Sequence, residues 1–219
     1  MRERVSVLFA FVILAGCVST RNATLSEEGT RGWRGKSVAL SARPRADFVA
    51  STGGKAAFAL LSAAAMISAG NDIVQKNGIE DPVPILGEGL LRAAQTRYGV
   101  IAATPARVSI DTSDIGKLAH AAAGADLLLD VQSLESQFRY FPTDWNHYAV
   151  DSTFKVFLID VHKGSLIAEG FCRQTTQKDP SPPTKDELLG DGAMRLKAVL
   201  TKQREACLEQ LKKDVLAIS

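Results

Sequence analysis

The stretch Tyr148–Gln174, YAVDSTFKVFLIDVHKGSLIAEGFCRQ, decides the fold. Tyr148, Val150, Phe154, Val156 and Leu158 alternate onto one side of a strand. Asp151, Thr153 and Lys155 fall on the other side, joined there by Phe157 and Ile159. A period of two over this length is the pattern of a strand with one face on a core. His162-Lys163-Gly164 reads as a turn, and Ser165 to Gln174 as the next strand. Together they predict an antiparallel hairpin.

Working outward, Asp126 to Ser133 (DLLLDVQS) is another strand, which runs on after a bend through Gln137 to Phe141. Lys36 to Ser41 and Ala106 to Asp111 are shorter strand candidates. Between them, Asp81-Pro82-Val83-Pro84 reads as a rigid turn. The spacing of Leu86, Leu90, Leu91, Ala94 and Tyr98 then predicts an amphipathic helix that stops at Gly99. Thr112-Ser113-Asp114 offers an N-cap to a short helix from Ile115 to Ala123. After the Pro-rich loop 178–184, Asp186 to Val215 is largely helical, with Leu196, Val199, Leu200, Cys207, Leu211 and Val215 along one face. The Ala-rich segment Lys55 to Gly70 (KAAFALLSAAAMISAG) is either a core helix or a segment lying against a membrane. The expected fold class is α/β, with α+β as the alternative. It has a mixed sheet of parallel neighbours followed by a C-terminal antiparallel hairpin, and helices packed on the sheet.

The composition supports a folded core: 46% of the 219 residues are hydrophobic and the net charge is +2. Such a near-neutral body gives no reason to expect a nucleic-acid partner. Thr52-Gly53-Gly54-Lys55 is not a phosphate loop, because Val49 and Ala56 stand where a glycine and a Ser or Thr are required. His120, His147 and His162 fall in separate elements without partners at metal-ligand spacing. No serine sits in a G-x-S-x-G elbow. No catalytic residue, cofactor or metal site is therefore assigned.

The N-terminus carries the most specific signal. Met1-Arg2-Glu3-Arg4 is a short positive head, and Val5 to Leu14 is apolar except for Ser6. Leu14-Ala15-Gly16-Cys17 follows. The apolar run is too short to span a bilayer. The four-residue segment closely resembles the lipobox of bacterial lipoproteins. The resemblance implies cleavage before Cys17, acylation of its sulfur and amine with palmitate-type chains, and a bilayer as partner. Residues 1–16 are then a signal peptide, 17–34 a lipidated flexible tether, and 35–219 one periplasmic domain. Removing residues 1–16 takes away Arg2, Arg4 and Glu3 and leaves a net charge of +1. By the family rule, Val18 after the cysteine favours the outer membrane, with the domain facing the periplasm.

Lipidation of Cys17 leaves Cys172 and Cys207, one in the last strand and one on the apolar face of the last helix. An oxidising compartment and a helix packed over the sheet would let them form a disulfide; two separate buried thiols are the alternative. Aromatic residues cluster between the strands, in or beside a loop, Phe141-Pro142-Thr143-Asp144-Trp145-Asn146. Tyr140, Phe141, Trp145 and Tyr148 are candidates for a protein contact, or equally for a cap on the sheet core.

Gly124-Ala125-Asp126 before an apolar strand, a long strand ending in Asp160, then Gly164 and a strand from Ser165 form a further pattern. It resembles the curli-secretion, penicillin-binding-protein-activator and neisserial GNA-type lipoproteins over about half of the mature chain. The resemblance implies a mixed α/β domain that binds other envelope proteins, and it lends no catalytic residue. The leading expectation is a membrane-anchored protein-binding or scaffolding module. The alternatives are a subunit of an outer-membrane secretion or transport assembly, in which residues 55–70 oligomerise or insert, and an envelope hydrolase.

Overall fold

A computed structural model describes residues 22–26, 28–52 and 59–218. Signal peptide, lipobox and Cys17 lie outside the described residues. Strands β1 (Ser37–Ala42), β2 (Val49–Ser51), β3 (Ile101–Ser109), β4 (Leu127–Phe141), β5 (Asp144–Asp160) and β6 (Ser165–Thr175) form one mixed sheet. The order is β3-β1-β4-β5-β6, with β2 pairing β4 further along the edge that β1 uses. β1 runs parallel to β3 and to β4, whereas β4-β5-β6 is an antiparallel meander. The architecture is the α/β mixed sheet expected from the sequence.

Helices α1 (Ala59–Lys76), α2 (Pro82–Tyr98) and α4 (Lys185–Asp214) cover one face. There Val38, Leu40, Leu127, Leu129, Phe154 and Val156 meet Leu86, Leu90 and Leu211. Phe48, Phe138, Tyr148 and Val150 form a second apolar cluster with Leu188 and Leu196. The other face is covered at one end only, where α3 (Ile115–Ala121) sets Leu118 against Leu128, Phe157 and Ile159. The rest of that face is polar.

Local chemistry explains most boundaries. Asp114 caps α3 by accepting from the Lys117 N–H at 2.9 Å. Thr184 and Glu187 form a capping box at the start of α4. α2 starts earlier than expected. Asp81 is its N-cap and Pro82 its first residue, a position where the missing N–H and fixed φ of proline are harmless. α4 is interrupted at 190–193, where Asp191, Gly192 and Ala193 all adopt positive φ. In α1, Gly70 lets the helix backbone meet β2: a β-carbon there would overlap the Phe48 carbonyl. Of the Ala-rich segment 55–70, residues 55–58 lie outside the described residues, and Gly70 is buried at its end. Val74 is buried, while Ala63, Ala64 and Ala65 are exposed. Among the described residues no helix is long and apolar enough to cross a membrane.

The flexible tether expected up to residue 34 is corrected over its described part. Ala23 exchanges backbone hydrogen bonds of 2.9 Å with Glu169 on the outer edge of β6. Asn22 accepts from the Phe171 N–H. Leu25 and Trp33 are buried, and the Trp33 ring meets Tyr98 edge-on at 5.4 Å. Apolar side chains in a Gly/Thr/Ser-rich stretch dock it on the body.

Asp126, from the Gly-Ala-Asp pattern, staples β1 to β4. Its carboxylate accepts from the Ser37 N–H at 2.7 Å and the Ser37 hydroxyl at 2.8 Å. These bonds, with a smaller contribution from His162, bring its pKa down to about 2. A folded pKa below the unfolded value stabilises the native state above about pH 4, and the effect fades as pH falls toward 2. Asp126→Asn should therefore lose less stability than the wild type between pH 4 and pH 2. Urea midpoints measured across that range check this, and parallel slopes would contradict it.

Candidate functional site

β4 and β5 extend well past β6 to a tip, closed by the two-residue turn Pro142-Thr143. The loop expected over 141–146 is thus a corrected feature. Phe141 pairs with Asp144, and the next pair is Tyr140 with Tyr148, so Trp145, Asn146 and His147 bulge out of the ladder. A bulge re-aims side chains, and here it turns Trp145 outward, 63% exposed.

The tip is held by its own contacts. The Trp145 Nε1–H donates to the Pro142 carbonyl at 3.2 Å. Its ring lies 6.1 Å from Tyr140 at 65°. Asp144 accepts from the Asn146 N–H at 3.1 Å and sits 2.6 Å from His147 Nδ1. The His147 hydrogen bond, helped by Asn146, holds the Asp144 carboxyl below its ordinary pKa. The base is pinned by the Pro-rich loop, because the Tyr148 N–H donates to the Pro183 carbonyl at 2.9 Å.

The four aromatic candidates separate. Trp145 is exposed, and Tyr140 and Phe141 are half-buried beside it. Tyr148 is corrected from contact to core: it is 5% exposed and packs edge-on against Phe138 at 5.6 Å. The alternation in β5 puts it on the helix-covered side, out of reach of a partner. Cys172 and Cys207 are buried at disulfide distance, with Cα atoms 5.6 Å apart, and link β6 to α4.

A second polar cluster lies at the start of β1 and β4. The Ser37 hydroxyl bonds Asp126, and Asp126 Oδ1 lies 3.1 Å from His162 Nε2. A hydrolytic triad needs the histidine between serine and carboxylate. Here the carboxylate stands in the middle, so no imidazole faces the hydroxyl. Among the described residues, no group of three His, Cys, Asp or Glu side chains is placed to hold a metal ion.

The polar face holds two carboxylates that the sequence did not single out as buried. Asp130 and Asp151 have fully buried side chains. Arg43 lies over the first, with Nε at 2.6 Å and Nη2 at 2.8 Å. Arg139 lies over the second at 2.7 Å, with Thr175 and Gln137 as further donors. Strand alternation marks these positions as facing outward; Arg43, distant in sequence, closes over Asp130, and Arg139 reaches Asp151 from the paired strand β4.

No family model matches the chain. No curated protein matches it either. Solved structures with a related chain path include the PelC dodecamer from Paraburkholderia phytofirmans, at 16% identity, covering 86% of this chain and 92% of that one, TM-score 0.34. Lipoprotein GNA1162 from Neisseria meningitidis gives 14% identity, 76% and 96% coverage, and TM-score 0.26. The LpoB C-terminal domain from Salmonella enterica gives 13% identity, 66% and 86% coverage, and TM-score 0.23. Likeness at this level assigns no activity.

Proposed function

We propose that this chain is an outer-membrane lipoprotein, anchored through acylated Cys17 and facing the periplasm, that docks an envelope protein with its hairpin tip. The supporting observation is Trp145, a large aromatic side chain held outward by the Pro142 carbonyl and the Tyr140 ring. A pre-ordered aromatic anchor loses little entropy on binding, and such residues dominate contact energies.

A photo-crosslinking residue at position 145, used in intact cells, should give one discrete adduct. Trp145→Ala should weaken capture of that partner roughly 10–100-fold while the urea midpoint stays unchanged. A smear of adducts, or unfolding of the variant, would count against the tip as a docking site. The anchor is tested separately: labelled palmitate should be incorporated by the wild type and not by Cys17→Ser.

The exposed residues Ala63–Ala65 on α1 favour a second reading, a subunit of an outer-membrane secretion or transport assembly that oligomerises through this helix. Light scattering of the purified protein separates the two readings. A monomer removes the second.

A further inference from the structure

The sheet is interrupted where β1 gives way to β2. β1 leaves β4 after the Leu40–Leu129 pair, and β2 joins it only at Gln137. Among the described residues no strand pairs that edge of β4 between these points, and the β4 bulge at Leu134 falls in the gap. On the helix-covered side, the strand positions here are serines: Ser133, Ser136 and Ser152. Small side chains where the neighbouring positions carry Val131, Phe138, Val150 and Phe154 leave space under α4. The space is a cavity of about 330 Å³, within the size range of small-molecule sites.

Its lining is chemically uneven. Phe48, Ile79, Phe154 and Leu200 supply apolar walls. Arg45 is committed to the Ile79 and Glu80 carbonyls, and Asp81 to the cap of α2. Arg204 lies 3.5 Å from Glu80, whose side chain is 75% exposed and easily displaced. Ser152 donates to Gln203 at 2.7 Å. Among the described residues, Ser133, Ser136, Lys197 and Thr201 are left over. Lys197 makes no ion pair among the described residues, and the Ser133 hydroxyl oxygen is buried there without a hydrogen-bond partner. Buried hydroxyls are ordinarily bonded, so an orphan in the cavity wall points to something that bonds it when its χ1 turns it inward.

We propose that this cavity binds a small organic carboxylate with an apolar body and a hydrogen-bonding group at its far end. Lys197 and Arg204 hold the carboxylate, the apolar walls hold the body, and Ser133 bonds the far group. The proposal is independent of the hairpin tip and of the lipid anchor.

The test titrates the 15N-labelled full chain with 4-hydroxyphenylacetate, phenylacetate and neutral 4-hydroxyphenylacetamide. The hydroxy acid should shift cavity resonances saturably and bind roughly 10-fold tighter than the amide. Lys197→Met should reduce its affinity to that of the amide. Ser133→Ala should weaken it about 3-fold or more and leave phenylacetate unchanged. Ser133→Val should remove the hydroxyl and narrow that end of the cavity, weaken binding at least as much as Ser133→Ala, and raise the urea midpoint, which shows that the variant folds. Equal binding of acid and amide, or no saturation at millimolar concentration, overturns the proposal. Absence of binding together with a raised Ser133→Val midpoint identifies the cavity as a place for ordered water only.

Discussion

Replacing Arg43 by Met is expected to destabilise the fold by about 3–5 kcal/mol, among the largest effects of any single substitution here. Asp130 sits on β4 with its side chain fully buried. Arg43 gives it two donors, at 2.6 and 2.8 Å, and Gln132 a third at 2.7 Å. The same guanidinium also donates to the Thr112 carbonyl at 2.6 Å, tying the chain after β3 to the end of β1. Methionine fills similar volume but leaves a buried carboxylate without a counter-charge. Urea unfolding of Arg43→Met measures the loss. The double variant Arg43→Met/Asp130→Leu should recover most of it, because the pair as a whole gains little over an apolar replacement. Arg139→Met should cost less than Arg43→Met, since Thr175 and Gln137 still donate to Asp151. A loss below about 1 kcal/mol for Arg43→Met would mean the carboxylate finds solvent or another donor.

The second large effect concerns Cys172 and Cys207. A bond between them closes a 35-residue loop that joins β6 to α4. By the loop-entropy model such a closure stabilises by about 3–4 kcal/mol. Both residues are fully buried in the main apolar cluster, so reduction should need prior opening of the fold. The oxidised chain is expected to unfold at a clearly higher urea concentration than the chain unfolded and refolded with reductant. Intact mass without reduction should be lighter by two hydrogens. Two free thiols and coincident midpoints would refute the bridge.

The meander was legible because its signal is local. Alternation from Tyr148 to Val161 sets the inward face, and His162-Lys163-Gly164 sets the turn, so β5 and β6 follow. The same alternation places Tyr148 inward, and this outweighs its place in an aromatic cluster. β2 was not legible: three residues between Pro44 and Gly53 carry no period, and only the free edge of β4 defines them as a strand. Pro82 and Pro84 resemble a turn because proline serves both turns and first helical turns; the Asp81 cap decides between them. Asp130 and Asp151 could not be read as buried, since alternation gives the side of the sheet and not what lies over it. The cavity left a trace in the serines at 133, 136 and 152. That trace acquires meaning only once the break between β1 and β2 removes the strand beside them.

The docking of Ala23 on β6 also limits reach. Five peptide steps separate Cys17 from Asn22, at most about 18 Å of chain. Glu169, where Ala23 is fastened, faces Phe157 on β5, and the strand continues for 13 residues from there to Asp144 at the tip. At ~3.3 Å per residue that arm is about 40 Å long. With Cys17 acylated, the domain is a short-leashed lever. Trp145 sweeps a shell no more than about 60 Å from the lipid surface, so a partner outside that shell has to come to the membrane to be met.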